Sequence, residues 1–263
     1  MTPTDVRNPA QVDLWYVFLD KATDPRLQNA YRALLSPDES QREQRFVVEH
    51  ARLQFLVSRA LLRTVLAHYT GRHPRELAFR RNSYGKPCLI APDGLPLEFN
   101  LSNTRALAVC AVGFQRAVGV DAEDCEQERD GLSVARRYFH ASEVGVLESL
   151  PCDQQRLAFY QWWTLKEAFL KAYGTGLSTP LDSFAITWNR DRPPEISFPA
   201  PGWETPGDWQ FARLTLVSRF AIALAAHMPS TSRLQLVVRQ TVPLSWQEPG
   251  KLLPANTSNH WFL

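Results

Sequence analysis

The stretch Gln161-Trp162-Trp163-Thr164-Leu165-Lys166-Glu167-Ala168-Phe169-Leu170-Lys171-Ala172-Tyr173, closed by Gly174 and Gly176, decides how this chain is read. Its Ala, Leu, Lys and Glu content favours a helix, and the glycines stop it. Trp163, Glu167 and Lys171 recur at i, i+4 and i+8, so an aromatic ring, a carboxylate and an ammonium share one face. Leu165 and Phe169 lie on other faces and can pack inward. Taken alone, Glu167 and Lys171 make an ordinary helix-surface ion pair of about 0.2–0.5 kcal/mol.

A second stretch changes that reading. Gly119-Val120-Asp121-Ala122-Glu123 follows the apolar run Ala106 to Val112 and the turn at Gly113. As a strand, it points Asp121 and Glu123 to one side and Val120 and Ala122 to the other. Two carboxylates on one strand face repel unless a cation or a base lies between them. A helix that brings Glu167 alongside completes an oxygen set of the kind that holds Mg²⁺. Lys171, one turn on, then faces whatever anion the metal holds.

The chain has 263 residues, enough for one large domain or two small ones. A net charge of only +2 gives no general signal for binding nucleic acid. Cys88, Cys110, Cys125 and Cys152 form neither a C-x-x-C pair nor a zinc spacing, so free thiols in a reducing compartment are expected. Met1 to Pro9 has no apolar signal-peptide core, and no run approaches the ~18 apolar residues of a membrane span. A cytoplasmic protein without membrane contact is expected.

Val12 to Leu19 reads as a first strand. Ser36-Pro37-Asp38-Glu39 is a helix start, with Ser36 as N-cap and Glu39 three residues on. The helix that follows, to about Tyr69, is long or split. Arg45, Arg52, Arg59 and Arg63 fall roughly on one stripe, either a solvated basic face or a phosphate-binding one. Tyr84-Gly85-Lys86-Pro87 belongs to a turn-forming loop that presents Lys86. Phe99-Asn100-Leu101-Ser102-Asn103-Thr104 reads as a short polar turn able to offer donors to an anion. Val134 to Phe139 and Ala141 to Leu150 read as helices. Phe184 to Trp188, Trp209 to Val217, Phe220 to Ala226 and Leu234 to Val238 read as strands. Pro193 to Gly207 is a proline-rich loop, and the tail from Pro243 is expected to pack back through Trp246 or Trp261. Each half runs helix, Gly-bearing loop, apolar strand pair, which hints at a duplicated α/β unit divided near Gln115–Val118.

Four stretches now stand in order: Tyr84-Gly85-Lys86-Pro87, Phe99-Asn100-Leu101-Ser102, Gly119-Val120-Asp121-Ala122-Glu123 and Trp163-Thr164-Leu165-Lys166-Glu167-Ala168-Phe169-Leu170-Lys171. Together they resemble the 4′-phosphopantetheinyl transferase family in its long, surfactin-synthetase-activating type, from roughly Arg42 to Lys171. The resemblance implies an α/β (α+β) fold of two similar subdomains related by pseudo-twofold symmetry, residues 1–116 and 117–263, with the site in the cleft between them. It implies an enzyme that moves the phosphopantetheine arm of coenzyme A onto a serine of an apo acyl or peptidyl carrier protein. Mg²⁺ is required and adenosine 3′,5′-bisphosphate is released. On that reading Asp121 and Glu167 hold Mg²⁺, with Glu123 as third ligand or acting through a water. Lys171 neutralises phosphate, and Glu167 or a metal-polarised water is the base. Arg52, Lys86, Ser102 and Asn103 contact the adenosine and 3′-phosphate end. Lys166 either joins the coenzyme A contacts or orients Glu167, and Glu143 is structural or near the metal. Partners are acidic carrier proteins, and a monomer is expected because a duplicated chain supplies both halves of the cleft. Two departures stand out: Asn103 replaces a usual histidine, and Gln54 occupies a position expected to be basic. They leave open a non-catalytic module that binds coenzyme A or a carrier.

Overall fold

The computed structural model of this chain describes residues 8–90, 94–188, 192–198, 208–229, 231–245, 251–253 and 260–262. The first half contains β1 (Gln11–Phe18), α1 (Pro25–Arg32), α2 (Pro37–Gln44) and α3 (Glu49–Thr70). It continues with β2 (Ala78–Arg81), β3 (Pro87–Ile90), β4 (Leu97–Asn103) and β5 (Leu107–Phe114). The second half has β6 (Val118–Asp124), α4 (Gly131–Tyr138), α5 (Ala141–Ser149) and α6 (Cys152–Tyr173). Then come β7 (Ala185–Thr187), β8 (Glu195–Ser197), β9 (Trp209–Leu216), β10 (Phe220–His227), β11 (Gln235–Gln240), β12 (Lys251–Leu253) and β13 (His260–Phe262).

The two halves repeat one topology. Each has a strand, a 22-residue helix (α3 or α6), a small two-stranded pair, and an antiparallel strand pair. In each sheet the last strand of that set lies beside the first, giving the orders β1-β5-β4 and β6-β10-β9. The chain then returns to the first sheet, where β11 pairs parallel to β1 and β12 pairs with β11. The first sheet is therefore not built from residues before the Gln115–Val118 crossing alone.

The central strands β1, β5 and β10 are largely apolar on both faces because both faces are covered, whereas edge strands β4 and β6 carry polar residues on one face. Val12, Leu14, Val109 and Ala111 of the first sheet meet Val120, Leu214, Ile222 and Leu224 of the second. On the outer face of the first sheet, Trp15, Val17 and Cys110 pack under Leu61 and Val65 of α3. On the outer face of the second, Phe211, Ala223 and Ala225 pack under Leu165 and Phe169 of α6. Each Val, Leu, Ile or Phe among them contributes roughly 1.5–3 kcal/mol by burial.

Two expectations change. The capping box at Ser36 and Glu39 forms, but the helix breaks after Gln44 and α3 starts at Glu49. Glu39 then draws in Arg59 and Arg63; Arg63 is buried, with Nε 2.6 Å from Glu39 Oε2. These two arginines are internal props rather than members of an open phosphate-binding stripe. Second, Phe99 to Asn103 lies in strand β4, not in a turn. Its antiparallel ladder with β5 satisfies the backbone, and its alternating polar side chains serve another purpose described below. Of the remaining loop and tail expectations, residues 199–207 and Trp246 lie outside the described residues, as does the side chain of Trp261. All four cysteines are free thiols, and among the described residues no helix is long and apolar enough to cross a membrane.

Candidate active site

The site lies where edge strand β4 of the first sheet meets edge strand β6 of the second. Side chains take the place of a backbone ladder across this seam. Asn100 Oδ1 accepts the Val120 N–H at 3.0 Å, and Ser102 Oγ accepts the Ala122 N–H at 3.3 Å. Asn100 belongs to no charged motif, yet a polar residue at every second position of an apolar strand is a readable signal.

Helix α6 packs on β6 with no side chain between their backbones. A Cβ placed on Gly119 would overlap the carbonyl oxygen of Ala168 and the amide nitrogen of Ala172, and lie 3.0 Å from Ala172 Cα. Only glycine permits that approach. It sets the Asp121 and Glu123 face of β6 beside the Trp163, Glu167 and Lys171 face of α6. Lys171 does not pair with Glu167 along the helix. Its Nζ donates to Asp121 Oδ1 at 2.6 Å, Ser102 Oγ at 3.0 Å and the Val120 carbonyl at 3.2 Å. The Ser102 hydroxyl donates to the same Asp121 oxygen at 2.9 Å.

The electrostatics follow from Asp121 acting on two other partly buried carboxyl groups. Burial and the neighbouring Asp121 push Glu123 up to about 7, although Arg129, Lys171 and a hydrogen bond from Trp163 pull the other way. Burial and Asp121 also raise Glu167, while Lys171 opposes the rise. The site is thus short of positive charge even with Lys171 in place. Asp121 Oδ2 is buried and has no hydrogen-bond partner, an orphaned acceptor beside two carboxyl groups reluctant to ionise. That donor set fits a hard divalent cation such as Mg²⁺. Among the described residues no three such groups are already gathered for a metal. The ammonium of Lys171 takes the position on Asp121 Oδ1.

The remaining site residues separate. Lys166 is fully buried about 100° around α6 from Glu167, where Nζ lies 2.7 Å from Glu143 Oε2 and 2.9 Å from the Phe184 carbonyl. This corrects its place among the coenzyme A contacts. Glu143 also accepts the Ile186 and His140 amides, so the pair ties α5, α6 and β7 together. Arg52 donates to the Phe46 carbonyl at 2.7 Å. Asn103 is exposed at the end of β4, and its Oδ1 accepts a hydrogen bond from Gln54 Nε2 of α3. The two departures from the family pattern therefore meet each other. Lys86 reaches across the halves, and Nζ donates to the Ala172 carbonyl at 2.9 Å. Trp163 stacks near Phe139 and Phe159 under the Arg129 guanidinium; Arg129 carries no motif signal that marks it from sequence.

Residues 117–225 match the 4′-phosphopantetheinyl transferase superfamily, and residues 21–115 match the N-terminal region of 4′-phosphopantetheinyl transferase. The chain is 38% identical over 196 residues to the 4′-phosphopantetheinyl transferase HetI of Nostoc, covering 73% of this chain and 80% of the relative. It is 28% identical over 186 residues to the 4′-phosphopantetheinyl transferase Sfp of Bacillus subtilis, covering 71% of this chain and 81% of that one. It is 35% identical over 160 residues to a 4′-phosphopantetheinyl transferase homologue of Synechocystis, covering 61% and 65% of the two chains. With the seam, the carboxylates and the lysine in place, the chain belongs to the 4′-phosphopantetheinyl transferase family.

Proposed function

We propose that this protein transfers the 4′-phosphopantetheine arm of coenzyme A to a serine hydroxyl of an apo carrier protein. The serine oxygen attacks the phosphorus that bears the pantetheine, the pyrophosphate P–O bond breaks, and adenosine 3′,5′-bisphosphate leaves. The observation that carries this reading is Asp121, with one oxygen held by Lys171 and Ser102 and the other unpartnered, beside Glu123 and Glu167.

We assign Asp121, Glu123 and Glu167 to a Mg²⁺ ion, which when bound would neutralise the pyrophosphate and so make its phosphorus open to attack. Lys171, held on Asp121 and partly exposed, supplies a positive charge to the phosphate oxygens as charge shifts to the leaving group. Glu167, or a water polarised by the metal, would accept the serine proton. The adenosine end falls to Arg52 and to Asn103 at the exposed end of β4, while Ser102 is turned inward onto Asp121. The Asn103–Gln54 contact is neutral where a charge is expected, which leaves the positive charge there to Arg52. Partners of this reading are acidic carrier proteins drawn by surface arginines at low salt. The protein works as a monomer, and its free thiols suit a reducing cytoplasm.

Incubation with Mg²⁺, coenzyme A and a panel of apo carriers tests the proposal. One serine of a carrier should gain the mass of one arm, and Glu167→Ala should abolish the gain. Coenzyme A binding without mass gain on any carrier would instead establish a binding module.

A further inference from the structure

The loop between β2 and β3 is fastened to the far end of the helix that carries Glu167 and Lys171. Asn82 organises the loop: its Oδ1 accepts the amides of Tyr84 at 3.0 Å and Lys86 at 2.8 Å. Its own amide donates to the Lys86 carbonyl, and Gly85 N–H donates to the Asn82 carbonyl. Asn82 Nδ2 then donates to the Gly174 carbonyl at 2.9 Å, and Lys86 Nζ donates to the Ala172 carbonyl at 2.9 Å and the Val118 carbonyl at 3.4 Å. Ala172 and Gly174 belong to the last turn and cap of α6, where carbonyl groups have no helical partner and carry the negative end of the helix dipole. Gly174 is left-handed with φ +87°, and a Cβ there would sit 3.4 Å from both Asn82 Nδ2 and the Lys86 side chain. The fit is therefore close. Val118 is the first residue of β6, three before Asp121. One lysine of the first half thus touches both elements that build the site in the second. The other titratable groups facing it are Glu98 of β4, which attracts the ammonium, and Cys88.

We propose that Asn82 and Lys86 are positioning residues: a latch from the first half that fixes the end of α6 against β6, and so fixes Lys171 and Glu167 over Asp121. The inference rests on the transfer reading and adds a residue role to it. Lys86 Nζ spans the Ala172 carbonyl of α6 and the Val118 carbonyl of β6, and that bridge between the two elements is the geometry the latch supplies.

The test compares Lys86→Met, Lys86→Arg and Asn82→Ala with the parent protein. Turnover with a carrier, coenzyme A affinity by calorimetry, and amide hydrogen exchange across residues 168–174 are measured on each. A helix end released by ~1 Å should lower kcat on the order of 10- to 100-fold. Coenzyme A affinity should stay within about twofold, exchange at the end of α6 should rise, and Lys86→Arg should recover part of kcat, as expected if a cation at the helix terminus suffices. Asn82→Ala, which leaves the lysine in place, gives the same pattern more weakly should Lys86→Met fail to fold. The proposal is overturned if Lys86→Met weakens coenzyme A binding, leaves kcat intact, and loses its penalty with 3′-dephospho-coenzyme A, since Lys86 then touches the ligand. It is also overturned if exchange at residues 168–174 is unchanged. Failure of the parent protein to modify any carrier sinks the transfer reading, and the exchange measurement still decides the latch.

Discussion

Replacing Gly119 with alanine adds one methyl group at the tightest glycine contact among the described residues. That carbon would overlap the Ala168 carbonyl oxygen and the Ala172 amide nitrogen, both backbone atoms of α6 that no rotamer change can move. Reaching ordinary contact needs α6 to rise from β6 by ~1 Å or more. The overpacking should cost roughly 1–3 kcal/mol. For a chain of this size that is a fall in Tm of about 2–10 °C. The effect on activity should be larger than stability suggests. Lys171 bonds Asp121 at 2.6 Å across this same contact, and Glu167 lies one helical turn away. A displacement of that size can cost on the order of 100-fold in rate. Thermal unfolding and turnover are measured together on Gly119→Ala. A variant with parental Tm and parental kcat would refute the claim that backbone contact between α6 and β6 sets the site.

Further outcomes follow from the same geometry. Without divalent ions, burial and Asp121 hold Glu123 at about 7 in the folded state, above its ordinary value of 4.5. Its favourable contribution is therefore present in acid and lost as pH rises from about 5 to 7.5. Unfolding titrations should show roughly 2–3 kcal/mol of lost stability over that window. Glu123→Gln should flatten the slope, and Mg²⁺ should offset the loss in the parent. Trp163→Phe keeps a ring beside Phe139 and Phe159 but deletes the hydrogen bond to Glu123. The pH at which Mg²⁺ begins to stabilise the protein should then move upward. Lys166→Met leaves Glu143 buried without its counter-charge and should cost roughly 3–5 kcal/mol in denaturant unfolding. The double variant Lys166→Met, Glu143→Leu should recover only part of that, because the Ile186 and His140 amides lose their acceptor, with Glu167 still functional.

The helical face of Trp163, Glu167 and Lys171 and the strand face of Asp121 and Glu123 are written in periodicities of 3.6 and 2, so the sequence shows them directly. The partner of Lys171 is not written there. Spacing offers Glu167, and only the approach allowed by Gly119 brings the better-placed Asp121. The arginines at 59 and 63 share a stripe with Arg52, yet Glu39 turns two of them inward, because a carboxylate on another helix leaves no mark at their own spacing. Phe99 to Asn103 read as a turn from its polar content. It is a strand whose Asn100 and Ser102 are polar because they stitch one sheet edge to the next. Lys166 stands one residue from Glu167 in the same motif but points to the interior, a difference of about 100° around the helix.

Binding of Mn²⁺ in place of Mg²⁺, followed by electron paramagnetic resonance in the presence of coenzyme A, tests the carboxylate site most directly. One ion per chain should bind in the parent protein, and both Asp121→Asn and Glu167→Gln should lose it while remaining folded. Undiminished binding in those two variants would contradict the placement of the metal between β6 and α6.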